Sequence, residues 1–155
     1  MAAGDFKLKI DVDYHDDGEI KMVDGMLHRL NDYRPVFDDI RADIEQTWAK
    51  NYTSEGLLVG GWKPLSPSYA AWKSVHFPGQ PIMVQTGRLF ASVSDLRGAP
   101  NEINKKSATF GTDVPYAEFH QYGRGTALRE IVFDMETHHE KWGQWIAKYV
   151  EEGDS

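Results

Sequence analysis

Three side chains able to bind a metal or transfer a proton lie close together in the stretch FGTDVPYAEFHQYG, residues 110–123. They are Asp113, Glu118 and His120. Because imidazole titrates near neutral pH, one hypothesis is a small metal-dependent hydrolase that uses His120 with acidic partners. The sequence has no GxSxG motif, no cysteine and no histidine four positions from His120. These absences favour the alternative, in which Tyr116 and Phe119 are buried and His120 makes a structural or interfacial hydrogen bond beside them.

Other ligand-type residues lie in THHE, residues 137–140, and in two acidic clusters. On a helix His138 and His139 point about 100° apart, so they lack the i, i+4 spacing with which two histidines share a zinc ion. The acidic clusters lack the spaced Asp-x-Asp-x-Asp-Gly loop and closing glutamate of a calcium site. We expect solvated surfaces at all these positions. The clustered carboxylates are Asp11, Asp13, Asp16 and Asp17, then Asp38, Asp39 and Asp43.

Four arginines, each near a glycine, form a further group. They are Arg88, Arg97, Arg124 and Arg129. An anion-binding nest would need more than the single GRG at 123–125, so we expect salt bridges between subunits instead. No cofactor or metal is predicted from any of these groups.

The composition limits the class of protein. The 155 residues carry 24 acidic and 17 basic side chains, a net charge of −7, which disfavours non-specific DNA binding. The absence of cysteine is typical of a reducing compartment. No apolar run approaches the ~20 residues that span a bilayer, and the first residues lack the apolar core of a signal peptide, so we expect a soluble intracellular product.

Hydrophobic periodicity predicts the first elements. Alternation over residues 6–14 predicts a strand with one buried face, and DDG at 16–18 predicts a turn. Helical spacing of apolar residues then predicts a long helix. Either it begins near Asp32 as a cap with Pro35 in its first turn, or one helix runs from about Glu19 and kinks at Pro35.

Later elements are shorter. Ser66 and Pro67 predict the start of a short helix to about Val75 within a Gly- and Pro-rich connection. QTGRLFASVSDL is predicted to begin as a helix or turn behind Thr86 and could end as a strand. SATFGTD and REIVFDM are predicted strands, PYAEFHQYG a short helix ended by Gly123, and THHEKWGQWIAKYVEE a final helix. We expect one domain over residues 1–150 and a disordered tail over 151–155.

These elements predict an α+β fold, with a small antiparallel sheet packed against one long N-terminal helix and a C-terminal helix. An extended loop rich in proline, glycine and aromatic residues completes it. The chain has five Trp, seven Tyr and seven Phe. Rings concentrated in the loop WKPLSPSYAAW, residues 62–72, cannot all be buried by one small domain, which predicts contact with another chain.

Several stretches, in order, resemble the phage virion morphogenesis family of small tail-completion or head–tail joining proteins. They are LHRLNDYRPVFDDIRADIEQTWAKNYTSEG, GWKPLSPSYAAWK, MVQTGRLFASV and FGTDVPYAEFHQYG, so the likeness covers roughly residues 22–133. Two features depart from the family. Leu128 precedes Arg129 where a small residue or proline is common, and the strand at 6–14 is long enough to add an edge strand.

The resemblance implies a structural virion component without enzymatic activity, made in the host bacterial cytoplasm and placed in the neck or tail. It implies a ring of identical subunits around the DNA channel, in contact with other head–tail connector and tail proteins. DNA would pass without sequence-specific binding. A ring needs two different contact surfaces on each subunit. The expected interface residues are Trp62, Tyr69, Trp72, Phe77, Arg88, His120, Gln121, Tyr122 and Arg124.

Overall fold

The computed structural model describes residues 7–12 and 24–153. Within these residues the chain forms an α+β fold, as predicted. The strands are β1 (Lys7–Asp11), β2 (Glu102–Ile103) and β3 (Ser107–Gly111). The helices are α1 (Asp24–Leu30), α2 (Arg34–Thr53), α3 (Pro67–His76), α4 (Arg88–Ser94), α5 (Ala117–Tyr122) and α6 (Glu136–Glu152), with a 3-10 turn at Leu57–Val59.

The three strands form an antiparallel sheet in the order β1-β3-β2. The alternation predicted for β1 is present, since Leu8 and Ile10 are half-buried between exposed neighbours and pair with Phe110 and Ala108 of β3. β1 is therefore an edge strand, as expected from its departure from the family. The ends of the predicted strand and the turn at 16–18 lie outside the described residues.

Helix α2 supplies the centre of the core. Its buried side chains recur at the helical spacing predicted from the sequence and pack against α4, α6 and the sheet. Pro35 lies in the first turn of α2, and α1 ends at Leu30, so the alternative of one kinked helix is wrong. Asp32 precedes the N-cap residue Tyr33 and accepts a hydrogen bond from the Arg34 amide at 3.2 Å. The buried α2 side chains include Val36, Phe37, Ile40, Ile44, Trp48 and Tyr52.

Most of the later helices agree with the sequence. Ser66 caps α3 by accepting the Tyr69 amide hydrogen at 3.4 Å, and Gly123 ends α5 in the left-handed conformation. QTGRLFASVSDL contains α4 but no strand within its residues. Helix α6 continues to Glu152, so residues 151 and 152 are helical rather than part of the disordered tail that the sequence suggested.

The predicted strand REIVFDM is wrong, because the backbone groups of residues 130–133 hydrogen-bond to side chains instead of to another strand. The Gln121 amide oxygen accepts hydrogen bonds from the Ile131 and Val132 amides at 2.8 and 3.0 Å. Its nitrogen donates to the Val132 carbonyl at 2.7 Å. Other donors are Trp62 and Asn51, which bind the Glu130 carbonyl, and Trp48, which binds the Phe133 carbonyl. This ribbon of side-chain hydrogen bonds satisfies the backbone of an apolar segment without a ladder.

Candidate assembly interface

Helix α3 carries a row of stacked rings on the molecular surface. This α3 aromatic row consists of Tyr69, Trp72, His76 and Phe77. Trp72 is at its centre, with ring centroids 5.5 Å from Tyr69, 4.5 Å from His76 and 5.8 Å from Phe77. Spacings of three and four residues place Tyr69, Trp72 and His76 on one face of α3, and Phe77 follows as its C-cap residue. Tyr69 and Trp72 are each 42% exposed, and Phe77 is half-buried, so the rings stabilise one another while most of the row stays open to a partner.

A second apolar surface surrounds α5. This α5 surface consists of Tyr116, Phe119, Tyr122 and Leu128, which are 40 to 58% exposed. We expected Tyr116 and Phe119 to be buried, and this is wrong because six-residue α5 buries only Ala117. The exposed Arg124 guanidinium lies over the Tyr122 ring, 5.2 Å from its centroid.

Between α3 and α5 the chain forms an open groove of about 960 Å³. Tyr69 and Lys73 line it from α3, Tyr116 and His120 line it from the α5 region, and residues 83–89 form its floor and far wall. The described residues that line the groove include four cationic side chains and no aspartate or glutamate. These cations are Lys63, Lys73, Arg88 and Arg129. In a protein of net charge −7 this groove is a local positive site.

Two of the groove cations are buried and form no ion pair, although Glu55 lies close enough to Lys73 to act on its charge. Lys73 and Arg129 are each 5% exposed, and neither forms an ion pair within the described part of the chain. The Lys73 ammonium donates to the Pro81 carbonyl at 2.5 Å, and Arg129 donates through Nε and Nη2 to the Lys63 carbonyl at 3.1 and 2.8 Å. Carbonyl dipoles thus replace the carboxylates with which buried cations usually pair.

Burial lowers the pKa of Lys73. The charge of nearby Glu55 acts in the opposite direction, and the charge of Arg129 acts in the same direction as burial. Burial also lowers the pKa of Arg129. The two cations therefore lie within electrostatic range of each other, and an added carboxylate would relieve the unfavourable charge at both.

His120 lies at the same edge of the groove. Its Nδ1 atom is buried and has no hydrogen-bond partner among the described residues, while its carbonyl accepts the Arg129 amide hydrogen at 2.8 Å. Burial lowers the pKa of His120, and the charge of Arg129 lowers it further. This environment favours a neutral imidazole at neutral pH, held beside cations rather than beside carboxylates.

Two expected interface residues, Trp62 and Gln121, instead make contacts within their own chain. Trp62 is 6% exposed, packs edge-on against Tyr52 at 5.0 Å and donates to the Glu130 carbonyl at 3.1 Å. The amide group of Gln121 is fully used by residues 131 and 132. The other expected residues are at least partly accessible, and exposed Arg88 lies at the wall of the groove.

The remaining ligand-type residues are distributed over separate contacts. His138 is buried rather than solvated, because its ring stacks on Trp142 with centroids 4.8 Å apart. His139 pairs with the Asp134 carboxylate. The Asp43 carboxylate accepts hydrogen bonds from Lys141 and the Trp142 indole. Other pairs are Lys9–Asp11, Arg41–Asp38 and Arg97–Asp95.

Residues 24–153 and 7–12 contain no group of three or more histidine, aspartate or glutamate side chains that could hold a metal. The opening trio of Asp113, Glu118 and His120 is not brought together as a metal site. Arg97 and Arg129, for which contacts between subunits were expected, bind groups of their own chain.

Two important residues, Lys73 and Asn51, were not predicted from the sequence. A lysine four positions after an exposed Tyr69 suggests a solvated helix face, and only the fold around Pro81 buries it. Asn51, at 1% exposed, donates to the Glu130 carbonyl and accepts from the Leu58 amide. The sequence feature that could have indicated the burial of Asn51 is its position next to Tyr52 at the end of an amphipathic helix.

The described part of the chain exposes two apolar surfaces on either side of a cationic groove and brings no metal-binding group of histidine, aspartate or glutamate side chains together. The model of the phage virion morphogenesis family matches residues 19–144, so the chain belongs to that family. It is a bacteriophage protein that acts in virion morphogenesis. Neither curated proteins nor solved structures provide a significant match. Of the helices in the described residues, none is both long and apolar enough to cross a membrane.

Proposed function

We propose that the protein is a non-enzymatic structural subunit that completes the tail or joins the tail to the head. It forms a closed ring around the DNA channel in the neck or at the tail end of the virion. Membership of the virion morphogenesis family supports the general role. The pair of apolar surfaces on α3 and α5 supports assembly with other chains.

The α3 aromatic row is the observation that carries this proposal. Three rings pack on Trp72, and most of this row is exposed in a chain that buries Trp48, Trp62 and Trp142 in its core. Exposed tryptophan and tyrosine side chains next to one another are typical of the energetic centre of a protein interface. With the α5 surface they give each subunit two distinct contact areas, as a ring with head-to-tail contacts requires.

The acidic balance is compatible with a position around DNA. A net charge of −7 repels the phosphate backbone, which would let DNA pass through the ring without being held. The neighbours in this proposal are other copies of the chain and the adjoining head–tail connector and tail proteins.

Substitution of the α3 aromatic row tests the proposal. The variant Tyr69→Ser with Trp72→Ser should fold but fail to support virion assembly in cells infected by phage that lack the protein. Loss of two interface rings should weaken association by about 30-fold or more. The matched control is Leu57→Ser, which removes a 72% exposed apolar side chain elsewhere. Normal yields of joined heads and tails with the folded double variant would contradict the proposal.

A further inference from the structure

The groove between α3 and α5 requires a negative partner. Its two buried cations, Lys73 and Arg129, bind carbonyl oxygens only, and exposed Lys63 and Arg88 add two more positive charges at its edge. Buried charges that lack an ion pair are costly, so a carboxylate entering this groove would recover part of that cost. The aromatic rings of Tyr69 and Tyr116 line the same groove and would cover the apolar part of an incoming segment.

A matching negative site lies in the last turn of α6. Glu151 and Glu152 are adjacent and exposed, and neither forms an ion pair with any described residue. The last turn has no basic residue, although the helix macrodipole favours cations and disfavours carboxylates there. Arg29 of α1 donates to the Val150 and Glu151 carbonyls at 2.9 and 3.2 Å, whereas the Glu151 and Glu152 carboxylates themselves have no ion pair within the described residues.

The positive and negative sites lie at opposite ends of α2. Tyr149 donates to the Asp32 carbonyl at 2.7 Å, which fixes the end of α6 beside the start of α2. At the other end, Asn51 binds the carbonyl of Glu130, the residue that follows Arg129 of the groove. Twenty residues of helix separate the two sites by about 30 Å. A groove at one end and a complementary site at the other define a head-to-tail contact, the kind that closes into a ring.

Resting on the ring proposed above, we infer that the last turn of α6 from one copy docks in the cationic groove of the next copy. Glu151 and Glu152 pair with Lys63 and Arg88 at the edge of the groove and bring a carboxylate to the buried cations. The occupant of the groove is therefore a second copy of this chain. The α3 aromatic row and the α5 surface, on either side of the groove, enclose this contact.

The arrangement favours a protein carboxylate over a DNA phosphate. Both buried cations donate to backbone carbonyls, so only Lys63 and Arg88 at the edge of the groove expose their charge to an extended phosphate backbone. The net charge of −7 also opposes DNA across the rest of the surface.

Charge exchange tests the inference. The groove variant is Lys63→Glu with Arg88→Glu, and the helix-end variant is Glu151→Lys with Glu152→Lys. A combined variant carries all four changes. The control variant, Lys50→Glu with Lys106→Glu, alters the net charge as the groove variant does but at exposed positions outside the groove. Association between copies is measured by sedimentation, alone and on tails that lack the protein, after thermal unfolding has shown that each variant is folded.

We expect the groove and helix-end variants each to weaken association at least about tenfold. The combined variant should recover most of the affinity, and the control should stay near the wild type. Unchanged association in the groove variant, no recovery in the combined variant, or equal weakening in the control would each overturn the inference while leaving the ring proposal intact. A wild-type protein that neither self-associates nor adds to tails would overturn both.

Labelled duplex DNA at physiological salt distinguishes the other possible occupant. If the wild-type protein retains DNA and the groove variant loses it, the groove binds phosphate and the inference is overturned. Equal and negligible retention by both proteins agrees with a protein partner.

Discussion

At the scale of single residues, some buried or half-buried charged groups have an oppositely charged partner and others form no ion pair. Asp43 receives hydrogen bonds from both Lys141 and Trp142, whereas Lys73 and Arg129 are buried against carbonyl oxygens. Internal stability does not account for the second arrangement, because a buried cation without a counter-ion opposes folding. In the proposed ring, these cations serve the contact with a neighbouring chain.

Lys73→Met should separate folding from assembly. Methionine keeps the length of the side chain and removes the buried charge, at the loss of one hydrogen bond to the Pro81 carbonyl. We expect the free energy of unfolding to change by less than about 1 kcal/mol or to increase, as found when unsatisfactory buried charges are replaced by apolar groups. Association should weaken. Chemical denaturation and sedimentation measure the two effects.

Lys50→Met, at an exposed position of α2, is the matched control for Lys73→Met. It should leave both unfolding and association near the wild-type values. A loss of several kcal/mol in Lys73→Met, with association unchanged for the folded fraction, would show that the lysine serves folding alone.

His138 should make the folded state sensitive to acid. Burial against Trp142 lowers its pKa below 6.5, with opposing and reinforcing effects from Asp43 and Lys141. The unfolded state then binds more protons, so the free energy of unfolding rises with pH between the lowered pKa and about 6.5 and is reduced at lower pH. His138→Phe should flatten this dependence in thermal unfolding measured from pH 7.5 to 5.

His28→Phe, at an exposed position of α1, is the control for the exchange of histidine for phenylalanine. Part of the slope should remain in His138→Phe, because burial also lowers the pKa of His120. An unchanged slope in His138→Phe would show that His138 is not the group that loses its proton on folding.

At the scale of elements, the turn after α2 decides how the aromatic segment begins. Gly56 has φ of +84°, and its amide donates to the Asn51 carbonyl at 2.7 Å. A Cβ atom at this position would lie 2.2 Å from Cδ1 of the buried Trp62 ring. The turn therefore needs glycine both for its backbone conformation and for the space that Trp62 occupies.

Gly56→Ala should lower the free energy of unfolding by about 3 kcal/mol or more, since left-handed strain of ~1–2 kcal/mol adds to overpacking of ~1–3 kcal/mol. Gly60→Ala is the control, because Gly60 has φ of +91° but no atom within 4 Å of the added Cβ. It should cost only the strain, about 1–2 kcal/mol. Equal losses in urea denaturation would contradict the packing of Trp62 against this turn.

The sequence correctly predicts the elements in which apolar residues recur at a regular spacing or in which a local signal marks the start of a helix. Helix α2 follows from the recurrence of Phe37, Ile40, Ile44 and Trp48, and α3 follows from the Ser66 and Pro67 start. Segment 129–133 resembles a strand because Ile131, Val132 and Phe133 form an apolar run. Its hydrogen-bond partners are side chains distant in the sequence, which the local spacing of residues does not reveal. A helix as short as α5 has too few turns to define a buried face, which explains why Tyr116 and Phe119 were misplaced.

The candidate interface was likewise predictable from the sequence only in part. Clustered rings in a loop that one small domain cannot cover predicted an interaction surface, and the exposed part of the α3 aromatic row agrees with that reasoning. The cationic groove was not predictable, because it is assembled from four separate stretches and its buried lysine has the composition of a surface residue.

Across the whole molecule, positive charge and exposed apolar surface lie towards one end of α2, and negative charge lies towards the other. The cationic groove and both apolar surfaces lie near the end of α2, and the acidic turn of α6 lies beside its start. Such a subunit is suited to contact copies of itself head to tail, which gives a ring when the rotation closes. Because charge pairs contribute to the contact, assembly should weaken as the salt concentration rises.

We propose that this virion morphogenesis protein assembles as a ring at the tail or neck. Light scattering over a concentration series measures its mass, alone and with phage tails that lack it, and electron microscopy of the same samples shows its arrangement. We expect closed rings, or addition of the protein to one end of the tails. A protein that remains a monomer at every concentration and leaves the tails bare would contradict the proposal.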